Sequence, residues 1–116
     1  MPTEWSDNIV VSELADEPAL SEELLAIIDH VARSGQLTAP HVVLNFAQVS
    51  YINSSNLAQL LSLRKVLTER DASLVLCSVS ENVWSVFTVT RLDSMFRTAP
   101  DPLTALASLQ IEDEGA

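Results

Sequence analysis

The chain has 116 residues, 47% of them hydrophobic and 19% charged, and 16 acids against 6 bases give it a formal net charge of −10. A chain of this length makes one domain that buries about two-thirds of its unfolded surface without metal or disulfide staples. Its two glycines, Gly35 and Gly115, cannot build a glycine-rich phosphate loop, which excludes Walker-type and dinucleotide-type nucleotide binding, and the acidic balance argues against nucleic acid or anionic lipid as partner.

The N-terminal stretch "MPTEWSDN" lacks both a basic residue and an apolar run, so no signal peptide is expected. The single cysteine, Cys77, sits in the apolar run "SLVLCSV", where a buried thiol in a reducing, cytoplasmic setting is the expectation. The uncharged run 34–63 is broken by Pro40, Asn45, Gln48 and the polar residues 53–56, so no membrane insertion is expected. Nothing suggests a second domain: the reading is one domain over 1–116, with 1–7 and 111–116 as fraying ends.

"NIVVSEL", 8–14, is rich in β-branched residues and reads as a strand. After the acidic turn "ADEP", Ser21 is expected to cap a helix, with Leu20 and Leu25 as a hydrophobic staple across the cap. Leu24, Ile27, Ile28, Val31 and Ala32 recur at helical spacing until Gly35, the expected stop. "HVVLNF", 41–46, is a continuous apolar run, as in a strand covered on both faces. In "NLAQLLSLRKVLTER" the residues Leu57, Leu60, Leu61, Arg64 and Leu67 fall on one helical stripe, and Asn56, Gln59, Ser62 and Lys65 near the other. "SLVLCSV" is a second buried strand. Ser80 then caps a helix with Val83, Val86, Phe87 and Thr90 on one face; "MFRTA" is a short strand; Asp101 as cap and Pro102 at the first helical position open a last short helix.

Alternation of strand and helix gives an α/β domain with a mixed, mostly parallel sheet of about four or five strands and about four helices. In such sheets, sites gather at the carboxyl ends of strands, where the loops lead into helices. "YINSSN", 51–56, lies in such a loop. With Asn53 as N-cap, Ser54 and Ser55 fall in the first helical turn, either as helix-starting residues or as acceptors of a modification. A phosphoryl group there adds a charge of about −1.5 to −2 beside the positive helix end, which the fold tolerates and a partner docked on an uncharged surface does not.

No nucleophile elbow or metal-ligand cluster is written in the sequence; His30 and His41 read as structural histidines, so no catalytic residue, metal or cofactor is expected and the chain reads as no enzyme. Trp84 flanks an apolar stripe and is expected to pack against a neighbouring element. Arg64, Lys65 and Arg70 form the one basic cluster and read as a solvated helix face.

"HVVLNFAQVSYINSSNLAQLLSLRKVL" resembles the central segment of the sulphate-transporter and anti-sigma-factor-antagonist (STAS) domain family: an apolar strand, a loop, then Asp-Ser-Ser/Thr-Gly-Leu opening a helix. "CSVSENVWSVFTVTRLDSMF" is similar to the next part, with its Thr-Gly-Leu-Asp-x-x-Phe turn, and "APDPLTALASL" to the terminal helix. Where that pattern has aspartate this chain has Asn53, and where it has glycine it has Asn56 and Arg91. The resemblance to the anti-sigma factor antagonist branch implies a regulator bound by an anti-sigma factor that is also a serine kinase, which switches it off by phosphorylation. Carried over by position, the phosphoacceptor is Ser54, with Ser55 as the alternative, and Tyr51, Asn53, Asn56 and Gln59 complete the partner-binding surface. The other reading the family offers is a constitutive adaptor or scaffold subunit of a signalling or lipid-transport complex, without phosphorylation cycling.

Overall fold

The computed structural model describes residues 3–5, 9–33 and 40–115. In chain order these form β1 (Thr3–Trp5), β2 (Ile9–Ala15), α1 (Ala19–Arg33), β3 (His41–Gln48), α2 (Ser54–Glu69), β4 (Leu74–Cys77), α3 (Glu81–Val89), a 3-10 turn (Asp93–Met95), β5 (Arg97–Ala99) and α4 (Pro102–Gly115). The five strands lie in the sheet in sequence order. β1 pairs with β2 antiparallel, with Glu4 opposite Val11, and β2 to β5 are parallel.

Sequential order fixes the layering. Right-handed crossovers between successive parallel strands put their helices on one face, so α1, α2 and α3 share a core with Val10, Leu14, Val42, Leu44, Phe46, Leu74 and Leu76. α4 is not a crossover between two of the described strands, and it packs on the opposite face, where Ala105 and Leu109 meet Ile9, Val43, Val75 and Cys77. Neighbouring residues of β3 and β4 thus enter different cores, which is why β4 and the stretch Val42, Val43, Leu44 of β3 are apolar without alternation. Cys77 is buried in the smaller core, and burial pushes its thiol above the ordinary pKa.

Several elements differ from expectation. β1 adds a strand in the stretch expected to fray, and α4 continues to Gly115. Ser21 does not cap α1: the helix begins at Ala19 directly after Pro18, a residue that pre-sets a helical φ, and this places Ser21 in the first turn. The staple fails with it, since Leu20 is fully buried while Leu25 is 54% exposed. Gly35, the expected stop, lies outside the described residues. Caps at the other helices match: Ser80 Oγ accepts the Val83 N–H at 3.2 Å, and Asp101 Oδ1 accepts the Thr104 N–H at 2.7 Å. The turn after α3 puts Arg91 in the left-handed region at φ 62°, where the related pattern has glycine. Trp84 is half-buried and stacks on Phe87 at 5.0 Å, and Phe87 meets Phe96 edge-on at 5.3 Å. No helix among the described residues is long and apolar enough to cross a membrane.

Candidate functional site

The β3–α2 loop leaves the carboxyl end of a central strand, flanked by the loops that follow β2 and β4. Near this end β3 carries one residue more than β2, between the pairs Glu13–Asn45 and Ala15–Gln48, and Asn45 Oδ1 accepts the Ala47 N–H at 2.9 Å inside that irregularity. The loop is then tied sideways: Asp16 accepts the backbone N–H of Ser50 at 2.8 Å and its hydroxyl at 2.6 Å. These donors, the hydroxyl first, hold the Asp16 carboxyl below its ordinary pKa.

Asn53 caps α2, and the cap is reciprocal. Its Oδ1 accepts the Asn56 N–H at 2.9 Å, while Asn56 Oδ1 accepts the Asn53 N–H at 3.0 Å. This is a capping box built from two asparagines in place of the usual Ser/Thr and Glu. Because Asn53 does the capping, the hydroxyls of Ser54 and Ser55 make no hydrogen bond among the described residues, and both serines are exposed. Tyr51 and Asn53 are exposed beside them.

Asn56 and Gln59 are placed differently. Asn56, read from periodicity as part of the polar stripe, is fully buried, because α1 packs over that side of the first turn. Its Nδ2 faces Glu17 Oε2 at 3.4 Å, Ser21 Oγ at 3.4 Å and Gln59 Oε1 at 3.3 Å. Gln59 is half-buried and donates to Ser21 Oγ at 3.2 Å. Ser21 in turn gives its N–H to Glu17 at 2.6 Å and its hydroxyl to the same carboxylate, which these two donors hold below its ordinary pKa. Glu17, Ser21, Asn56 and Gln59 therefore form a satisfied polar seam that locks the start of α2 to the start of α1. The sequence signal for it was the spacing Asn-x-x-Asn, which is the capping-box spacing. Tyr51, Asn53, Ser54 and Ser55 remain as the accessible surface, with Asn56 and Gln59 as its support.

Charge is segregated along the strand axis. Among the described residues, the strand-to-helix loops and first helical turns at this end contain Asp16, Glu17, Glu22, Glu81 and Asp101 but no Lys or Arg. All six basic residues, Arg33, Arg64, Lys65, Arg70, Arg91 and Arg97, lie in the far halves of helices, in the loops beyond them or at the start of β5. The basic cluster read on α2 is divided by its contacts, Arg64 donating to the Met95 carbonyl and Arg70 to the Ala32 carbonyl. His41, at the opposite end of β3 from the serines, accepts the Ser73 N–H through Nδ1 at 2.9 Å and so has a structural task.

A family profile for the STAS domain matches residues 11–105. The chain belongs to the STAS domain family. Its fold is shared by a solved anti-sigma factor antagonist (STAS) domain protein from Planctomyces limnophilus, with a TM-score of 0.78 at 18% identity over 93% of this chain and 96% of that one. The anti-sigma factor antagonist SpoIIAA in its unphosphorylated form is similar at a TM-score of 0.75 and 20% identity, covering 93% and 94%. The Bacillus SpoIIAA structure in the phosphorylated form gives 0.68 at 20% identity, covering 92% and 96%. At these identities the likeness to solved structures establishes the STAS fold alone. No curated protein sequence matches the chain.

Proposed function

We propose that this STAS domain is a non-enzymatic anti-sigma factor antagonist acting in the cytoplasm, whose docking face is the exposed surface at the start of α2 and whose switch is phosphorylation of Ser54. The observation that carries the reading is the pair of exposed serine hydroxyls, without a hydrogen bond among the described residues, in the first turn of a helix that Asn53 already caps. Similarity to antagonists, one of them solved in a phosphorylated form, supports it.

In the transfer step the Ser54 Oγ attacks the γ-phosphorus of ATP held by the partner kinase; the bond to the β,γ-bridging oxygen breaks, ADP leaves, and the hydroxyl proton passes to a base on the kinase. Asp16 and Glu17 are engaged with Ser50 and Ser21, so this chain contributes the acceptor and its placement rather than the base. The product dianion lies by backbone N–H groups of the first turn, which have no intrahelical acceptor. The domain thus accommodates the group. The partner does not: it loses an uncharged contact at Tyr51 and the serines and gains a dianion beside existing carboxylates. A partner surface complementary to this end is basic, since no Lys or Arg of this chain lies there to pair with acids.

The test is phosphosite mapping by mass spectrometry on protein from its native cells, paired with binding to the anti-sigma kinase. Phosphate on Ser54, lost in Ser54→Ala, with binding abolished by Ser54→Asp, supports the switch; phosphate on Ser55 moves the acceptor by one residue. Unmodified protein alongside an active kinase, with binding indifferent to Ser54→Asp, refutes the switch and leaves a constitutive adaptor.

A further inference from the structure

β5 forms one edge of the sheet, with β4 as its single neighbour among the described strands. Ser78 donates its N–H to the Ala99 carbonyl at 3.3 Å. Alternation along a parallel ladder therefore turns the backbone polar groups of Arg97 and Ala99 toward β4 and those of Thr98 outward, and Thr98 is exposed. Pro100 has no N–H, and its carbonyl accepts the Ser78 hydroxyl at 3.4 Å. Past Ala99, then, the edge offers no further donor, and strand pairing centres on Thr98.

The same residue faces a groove. Thr98 is in register with Leu76, whose side chain enters the core shared with α1, α2 and α3, so the Thr98 side chain stands on the α3 face. There Val79, Glu81, Trp84, Thr98 and Pro100 line an open groove of about 350 Å³. Trp84 is half-buried and stacks on Phe87 at 5.0 Å, and its indole N–H has no acceptor among the described residues. Glu81, three residues earlier and so on the same side of α3, is exposed, and its carboxylate has no ion pair among the described residues. No Lys or Arg lines the groove. Arg97, the base nearest in the chain, is in register with Val75 and so leaves β5 from the α4 face.

We propose that the β5 edge takes up an extended segment of a partner protein, antiparallel to β5, and that an arginine of the segment, set opposite Thr98, fills the groove. A residue that exchanges both backbone hydrogen bonds with Thr98 lies directly opposite it, and its side chain projects to the same face of the sheet. That face holds the groove. Arginine suits the lining in both its parts: the guanidinium stacks on the Trp84 indole and pairs with the Glu81 carboxylate, and the methylenes lie on Val79 and Pro100. A leucine there leaves Glu81 unused, and a glutamate is repelled by it. The net charge of −10, and the lack of bases in the described loops at this end of the sheet, likewise favour a basic segment. The site shares no residue with the start of α2, so it stands whether or not Ser54 is a switch.

The test is an NMR titration of the full ¹⁵N-labelled chain with the peptide acetyl-Thr-Val-Thr-Arg-Thr-Val-Thr-amide at constant ionic strength. Parallel titrations use the peptide with leucine or glutamate at its centre, the peptide N-methylated at the central amide, and acetyl-arginine amide alone. Saturable shifts at the Thr98 and Ala99 amides and the Trp84 indole N–H are expected, with the Thr98 amide protected from solvent exchange. Glu81→Gln weakens the arginine peptide about tenfold, as does N-methylation, and Ser54→Asp changes nothing. A melting curve establishes that Glu81→Gln, a substitution at an exposed position, is folded. A leucine peptide that binds as tightly overturns the arginine, and acetyl-arginine amide binding as well as the peptide overturns the strand pairing. Shifts centred elsewhere, binding indifferent to Glu81→Gln, or no saturable binding of the arginine peptide overturn the proposal as a whole.

Discussion

Asn56→Ala isolates the polar seam from the surface it supports. The substitution removes the acceptor of the Asn53 N–H at 3.0 Å and the three contacts of Nδ2 to Glu17, Ser21 and Gln59. Loss of half of a reciprocal cap costs about 1 kcal/mol, and leaving polar groups of the seam short of a partner adds about 1 kcal/mol, for a total of about 2 kcal/mol. In a domain of this size that lowers Tm by roughly 6–12 °C. Asn56→Gly, which restores the residue of the related pattern, costs at least as much, because it deletes the same amide and adds backbone freedom. Asn56→Asp separates the two roles: it keeps an acceptor for Asn53 but sets a carboxylate against Glu17, so its deficit is largest near neutral pH and shrinks on acidification. Urea denaturation followed by far-UV circular dichroism reads all three. A change below about 0.5 kcal/mol for Asn56→Ala, the range of ordinary surface substitutions, would refute the claim that the seam fixes the start of α2.

Ser54→Ala, at an exposed hydroxyl without a hydrogen bond among the described residues, leaves stability within about 0.5 kcal/mol, whereas Asn53→Ala costs about 1 kcal/mol; the contrast is read in the same urea melts. Arg91→Gly relieves a left-handed residue at φ 62° and raises stability by about 0.5–1 kcal/mol, seen as a higher Tm. Asp16, Glu17 and Asp101 all have carboxyls held below their ordinary values, of 3.8, 4.5 and 3.8, by hydrogen bonds from Ser50, Ser21 and Thr104 respectively. Their contribution is complete above those ordinary values and is lost as pH falls from there toward the lowered folded-state values; Ser50→Ala flattens the Asp16 share of an acid titration of Tm. The Cys77 thiol, buried under α4 and raised in pKa, reacts with a thiol reagent only through opening of that small core, so mild urea accelerates labelling.

The architecture was legible where one local rule decided the matter. Apolar runs at 41–46 and 74–77 had to be strands covered on both faces, and Asn53, Ser80 and Asp101 stood where caps stand. Ser21 misled because Pro18 starts α1 earlier and the Glu17 side chain reaches forward to take the serine's donors. Leu25 misled for the same reason, since a staple has no meaning once the cap it spans has moved. β1 is three residues long at a sheet edge, too short for any periodicity to register. Asn56 was misread because periodicity assigns a polar residue to solvent, whereas here two helix starts meet and four polar side chains satisfy one another. The exposed serines were readable from the cap; what holds them in place required the long-range contacts from α1 and the β2–α1 turn.

Because Val42 and Leu44 enter one core and Val43 the other, β3 is a party wall between two rooms of unequal size. The smaller room has a single removable side, α4, while the hydrogen bonds of β3 run to β2 and β4 and owe nothing to it. Detachment of α4 would therefore bare Val43, Val75 and Cys77 without unzipping the strand that carries the serine loop. In hydrogen exchange this is a domain with a door: amides of Ala105 to Leu109 exchange by a partial opening, those of β3 only by global unfolding, and the loop at the head of α2 keeps its shape while the door stands open.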